Sequence, residues 1–66
     1  MATFRFHLIG TPQPVELDVA ADTIRDLGEI VSRQRFIEGR LVEPDGDGVL
    51  AGVLISTSRI QCVMEA

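Results

Sequence analysis

Apolar and polar residues alternate along the first segment. From Thr3 to Ile9, Phe4, Phe6 and Leu8 fall on one face and Thr3, Arg5 and His7 on the other. A period of two predicts a strand with one buried side. Gly10, Pro12 and Pro14 break any ladder that follows, and Val15 to Val19 alternates again with Val15, Leu17 and Val19 inward. Two short alternating runs across a Gly/Pro turn predict a hairpin. The period then changes. Ile24, Leu27, Ile30 and Val31 recur at spacings of three and four, the apolar stripe of an amphipathic helix. Asp22 or Thr23 supplies its N-cap oxygen, and Arg33 and Arg35 sit where a helix dipole favours cations. Gly28, inside the helix, marks either a close approach to the backbone or a weak point costing about 1 kcal/mol relative to Ala.

Strand character returns from Phe36 to Glu43, with Gly39 predicting a bulge or sharp bend. Pro44 to Gly48 reads as a turn, Val49 to Ile55 as the next strand with a second bend at Gly52, Ser56 to Ser58 as a short connection, and Arg59 to Met64 as the last strand. The expected fold is therefore one α+β domain over residues 1–66. It is a small, mostly antiparallel five-stranded sheet with one helix, in the order ββαβββ. The expected core is Phe4, Phe6, Leu8, Val15, Leu17, Ile24, Leu27, Val31, Ile37, Leu41, Leu54, Ile60 and Cys62. The run from Val49 to Ile55 is apolar on both faces, and a single helix covers only one of them. That makes Val49, Ala51, Val53 and Ile55 the candidate interface.

Length sharpens this expectation. Sixty-six residues bury only about 60% of the unfolded chain's surface. Cores of this size rarely supply more than roughly 3–5 kcal/mol without a disulfide, a structural metal or a partner chain. One cysteine, Cys62, cannot form an internal disulfide, and one cysteine with one histidine cannot build a structural zinc site. No cofactor is expected. An apolar fraction of 45% is high for so small a chain and favours a homo-oligomer or docking on a protein partner.

The net charge of −4 argues against nucleic-acid and membrane partners. All six basic residues are arginine, and Lys, Asn, Trp and Tyr are absent, a pattern of GC-rich codon usage that suggests a bacterial source. No apolar run approaches a membrane span and the N-terminal residues lack a signal-peptide pattern, so a cytoplasmic domain is expected.

Chemistry is sparse. His7 as a general base would need an orienting carboxylate, for which Glu16 or Asp18 is the nearest candidate; it reads more simply as a surface histidine in a cross-strand polar pair. Cys62, among Ile60, Val63 and Met64, reads as a buried, unreactive thiol. Asp45 and Asp47 with their glycines lack the remaining ligands of a calcium loop and read as a hairpin turn. Ser56, Thr57 and Ser58 beside Arg59 could hold an anion, although turn hydroxyls more often satisfy their own backbone. Arg33, Arg35 and Arg40 form the only basic cluster, with no exposed aromatic foreseen beside them because Phe36 is assigned to the interior.

Two family patterns resemble parts of the chain. Phe4 to Leu8, Val15 to Val19 and Asp22-Thr23-Ile24 resemble the opening of a ubiquitin-like β-grasp domain over residues 3–31. The ending Val63-Met64-Glu65-Ala66 lacks the Gly-Gly through which conjugating members act. Ile37, Gly39, Leu41 and Asp45 resemble the bent second strand of the Sm-like RNA-binding fold, and Ser56 to Val63 its closing strands, although the helix stands where that fold's first strand belongs. The reading is a non-enzymatic assembly module. The alternative is a small Sm-like RNA-binding oligomer with Arg33, Arg35, Arg40 and Arg59 as contacts. An enzyme built on His7 or Cys62 ranks last.

Overall fold

A computed structural model describes residues 2–44 and 46–66; Asp45 of the expected calcium-like turn lies outside them. The α+β expectation holds, in the order ββαβββ. Strands β1 (Ala2–Leu8) and β2 (Val15–Val19) precede helix α1 (Ile24–Arg33). Strands β3 (Phe36–Leu41), β4 (Gly52–Ser56) and β5 (Ile60–Glu65) follow it, with a 3-10 turn at Thr57–Arg59 between the last two. The strands form one sheet in the order β4-β3-β2-β1-β5, and every neighbouring pair is antiparallel.

That order brings a severe constraint. Strands β4 and β5 are consecutive in the chain yet occupy opposite edges of the sheet. Laid flat, the ladders put Ser56 level with Phe36 at one end and Ile60 level with Leu8 towards the other. Four strand spacings would separate them by about 19 Å across the sheet, and the offset along the strands would add roughly 30 Å. A three-residue link can reach only about 14 Å. The sheet must therefore roll up with a strong stagger, as small barrels do. Two backbone hydrogen bonds anchor the ends of the turn: the Thr57 amide donates to the Arg35 carbonyl at 2.8 Å, extending the β3–β4 ladder, and the Ile9 amide to the Arg59 carbonyl at 2.7 Å, extending the β1–β5 ladder.

Rolling also defines the core. Phe4, Phe6, Leu17, Val19, Ile37 and Ile55 meet inside, joined by Ala21 and by Leu27 from the helix. Leu8, Val15, Val31, Leu41 and Ile60, also expected inside, are half-buried against that cluster. Thr23 caps α1, its hydroxyl accepting the Asp26 amide at 3.1 Å. At the other end the Gln34 amide donates to the Ile30 carbonyl.

Several expectations need correction. Ile24, Leu54 and Cys62 are exposed rather than core. Strand β3 stops at Leu41 and β4 starts at Gly52, so Val49, Leu50 and Ala51 belong to the loop between them. Val53 and Ile55 face inward because they stand opposite Gly39 and Ile37, inward residues of β3, and directly opposed residues share a face. The candidate interface is thus inverted at its centre: Ile55 is 6% exposed and the intervening Leu54 is 69% exposed.

Gly39 makes no bulge, since it keeps register with both Val19 and Val53. Its role is close approach. A Cβ there would stand 3.0 Å from the Asp18 carbonyl oxygen and 3.0 Å from Val19 Cγ1, so the missing side chain lets β3 curl onto β2. The bulge lies elsewhere: His7 pairs with Cys62 and Leu8 with Ile60, leaving Gln61 as the extra residue of β5. That extra residue flips the alternation, turning Ile60 and Val63 inward and Cys62 outward. The β-grasp likeness also ends at the helix, because a β-grasp sheet runs its last strand parallel to its first, whereas β5 is antiparallel to β1.

The two strand and helix glycines make opposite predictions. Nothing lies within 4 Å of a Cβ added at Gly28, so Gly28→Ala should stabilise by about 0.5–1 kcal/mol. Gly39→Ala, against rigid backbone, should destabilise by about 1–3 kcal/mol. Urea titration of both variants checks this, and shifts of the same sign would reject the close approach at Gly39.

Candidate functional site

Interior and outward faces being fixed, the surface divides into three regions. The first is the β4 edge. Gly52 to Ser56 pairs with β3 on one side only and carries no charge and no proline. Leu54 projects from its outer face opposite Glu38. Val49, 56% exposed, and Leu50 continue the apolar surface into the preceding loop. The Ala51 carbonyl accepts the Leu41 amide at 2.9 Å, which ties that loop to the end of β3.

The second region is the junction between the end of α1 and the 3-10 turn. The Thr57 hydroxyl donates to the Gln34 carbonyl at 2.9 Å and also lies 3.1 Å from the Arg35 carbonyl. Together with the Thr57 amide bond to Arg35, this clamps the end of α1 to the 3-10 turn. Arg33 and Arg35 flank Gln34, and Arg59 follows Thr57 by two residues, so the backbone of three of the four candidate arginines lies near this clamp. Arg40 does not. It lies near the far end of β3, where its Nη1 donates to the Leu50 carbonyl at 3.3 Å. Ser56, directly opposite Phe36, shares a hydroxyl–hydroxyl hydrogen bond of 2.9 Å with Ser58.

Phe36 itself is 57% exposed on the outer face at the start of β3. Assigning it to the interior was an error of phase. The signal was present in the sequence: Ile37, Gly39 and Leu41 form the inward set, and alternation then turns residue 36 outward.

The third region is the outer face of β1 and β5. The Arg5 guanidinium stands 3.6 Å from the Glu16 carboxylate, and the Thr3 hydroxyl donates to Asp18. Both carboxylates expected to orient His7 therefore have other partners. His7 Nε2 is shut off from solvent without a hydrogen-bond partner, and the cross-strand neighbour of His7 is Cys62. No three His, Cys, Asp or Glu side chains come together in a metal-holding arrangement among the described residues. A shallow apolar groove of about 300 Å³ runs between α1 and β5, lined by Ile24, Leu27, Gly28, Val31, Ser32 and Val63. No helix among the described residues is long and apolar enough to cross a membrane.

No family model matches this chain, and no curated protein or solved structure matches it either. The surface regions therefore carry the functional reading without help from relatives.

The position of Cys62 yields a prediction opposite to that of a core thiol. An exposed cysteine should react with a thiol reagent in the native protein about as fast as in the urea-unfolded chain. Protection of a hundredfold or more in dilute native protein would place the sulfur inside.

Proposed function

We propose that this chain is a non-enzymatic assembly module that pairs through the open edge of β4 with a strand of a second copy. The observation that supports it is an unguarded edge. Sheet edges in soluble proteins are blunted by charge, proline, bulges or cover, because bare amides and carbonyls template pairing with other chains. Strand β5 has such a device in its Gln61 bulge and ends in Glu65. Strand β4 has none, and it bears Leu54, the most exposed large apolar side chain among the described residues.

Energetics point the same way. Burying a leucine contributes about 1.5–3 kcal/mol, comparable to much of the margin that a core of this size supplies. Main-chain hydrogen bonds to an added strand give further affinity, and the alternate side chains give register. Closed rotational symmetry satisfies such an edge without building fibres.

Sedimentation equilibrium is the direct test. The wild type should exceed its 7.2 kDa monomer mass at high micromolar concentration, and its melting temperature should rise with concentration. Leu54→Glu should give a folded monomer, because that side chain lies outside the core. Val53→Glu should instead unfold the chain, because that side chain packs against the core. A wild type that stays monomeric, with a melting temperature independent of concentration, would refute the proposal.

A further inference from the structure

We infer that His7 and Cys62 form half of a zinc site, which a second copy of the chain completes with its own His7 and Cys62. The site lies on the outer face of β1 and β5, apart from the β4 edge, and stands whether or not that edge pairs.

Three observations converge. His7 and Cys62 are directly opposed across the β1–β5 ladder, and opposed residues share a face with their Cβ atoms about 5 Å apart. That spacing lets a thiolate and an imidazole reach one metal ion at bond lengths of roughly 2.3 and 2.0 Å. Next, the Gln61 bulge lies immediately beside this pair, and bulges are a common means of re-aiming a side chain at a site. Cys62 is exposed as a result. Lastly, His7 Nε2 is shut off from solvent without a hydrogen-bond partner. An orphaned polar atom is costly, and an ion is one of the partners that accounts for it. Turning the ring about its side-chain bonds frees that nitrogen for a metal beside Cys62.

The donors select the metal. Thiolate with imidazole suits zinc, whereas calcium and magnesium take oxygen ligands. Two donors leave a tetrahedral ion half bound, and no third His, Cys, Asp or Glu joins them among the described residues. The carboxylates of β2 are engaged by Arg5 and Thr3. A twofold axis through the metal supplies a second His–Cys pair, giving the closed two-cysteine, two-histidine set of a structural site. The surroundings favour that approach. Met64, two residues along β5 from Cys62, and Ile9, two residues beyond His7, are both exposed, and the neighbouring Arg5 and Glu16 neutralise each other. Zinc would thus supply, between chains, the staple that a core of this size lacks within one.

The experiment titrates cobalt(II), a spectroscopic stand-in for zinc, into the reduced full chain, both wild type and Leu54→Glu. Each should develop the visible absorption of tetrahedral cobalt with a sulfur-to-metal charge-transfer band, saturating at one metal for every two chains. Zinc should displace the cobalt, double the 7.2 kDa mass of Leu54→Glu in sedimentation equilibrium, and slow thiol labelling of Cys62 by about tenfold or more. The bands should fade as pH falls, because protons compete with the metal for thiolate and imidazole. His7→Gln and Cys62→Ser should each abolish bands and zinc-driven dimer while keeping the native circular dichroism, since neither side chain belongs to the core. Saturation at one metal per chain, absence of the charge-transfer band, or unchanged binding by His7→Gln would overturn the inference. A zinc-dependent dimer in Leu54→Glu separates this site from the β4 edge, since either can fail while the other's readout persists.

Discussion

A three-residue turn joins strands at opposite edges of the sheet, and that connection governs the rest of the molecule. Chain length forbids a flat sheet, so the strands roll and stagger until Ser56 and Ile60 come within reach. Rolling gives one sheet an inside, which is how a chain with a single helix encloses two phenylalanines without a second layer. It also requires backbone to approach backbone closely. Gly39, whose missing Cβ leaves room for the Asp18 carbonyl, meets that requirement. The β3–β4 ladder and the Thr57 clamp bring residues 33–36 beside residues 56–59 although they lie twenty or more positions apart.

What was legible in the sequence follows from how local each signal is. Strands β1 and β2 and helix α1 have strong, unmixed periods, and their inward residues Phe4, Phe6, Leu17 and Leu27 lie where alternation and helical spacing put them. Strand β4 fails for a physical reason. Val53, Leu54 and Ile55 are apolar on both faces, so only the pairing with β3 decides which side is buried, and pairing is a tertiary fact. Strand β5 fails because Gln61 is extra: one inserted residue moves every later side chain to the other face, and no local pattern announces it. Both errors exchange inside for outside, and they account for the misplacement of Leu54, Ile55 and Cys62.

Phase also explains why candidate sites were harder to read than the fold. The arginines were visible as residues, but their grouping was not. Arg33, Arg35 and Arg40 are close in sequence, yet Arg40 sits at the far end of β3 and Arg59 lies nearer in the chain fold to Arg33 and Arg35. Their aromatic neighbour is Phe36, which alternation from Ile37 turns outward. The core keeps the residues that closure needs, and the apolar groups left outside are concentrated on the β3–β4 hairpin and its loop.

That concentration bears on the proposed edge pairing. Leu54 lies near the middle of β4 and Phe36 at the start of β3, diagonal neighbours on one outer face. Pairing through the β4 edges would place both side chains on the outer face of the sheet that the two copies share.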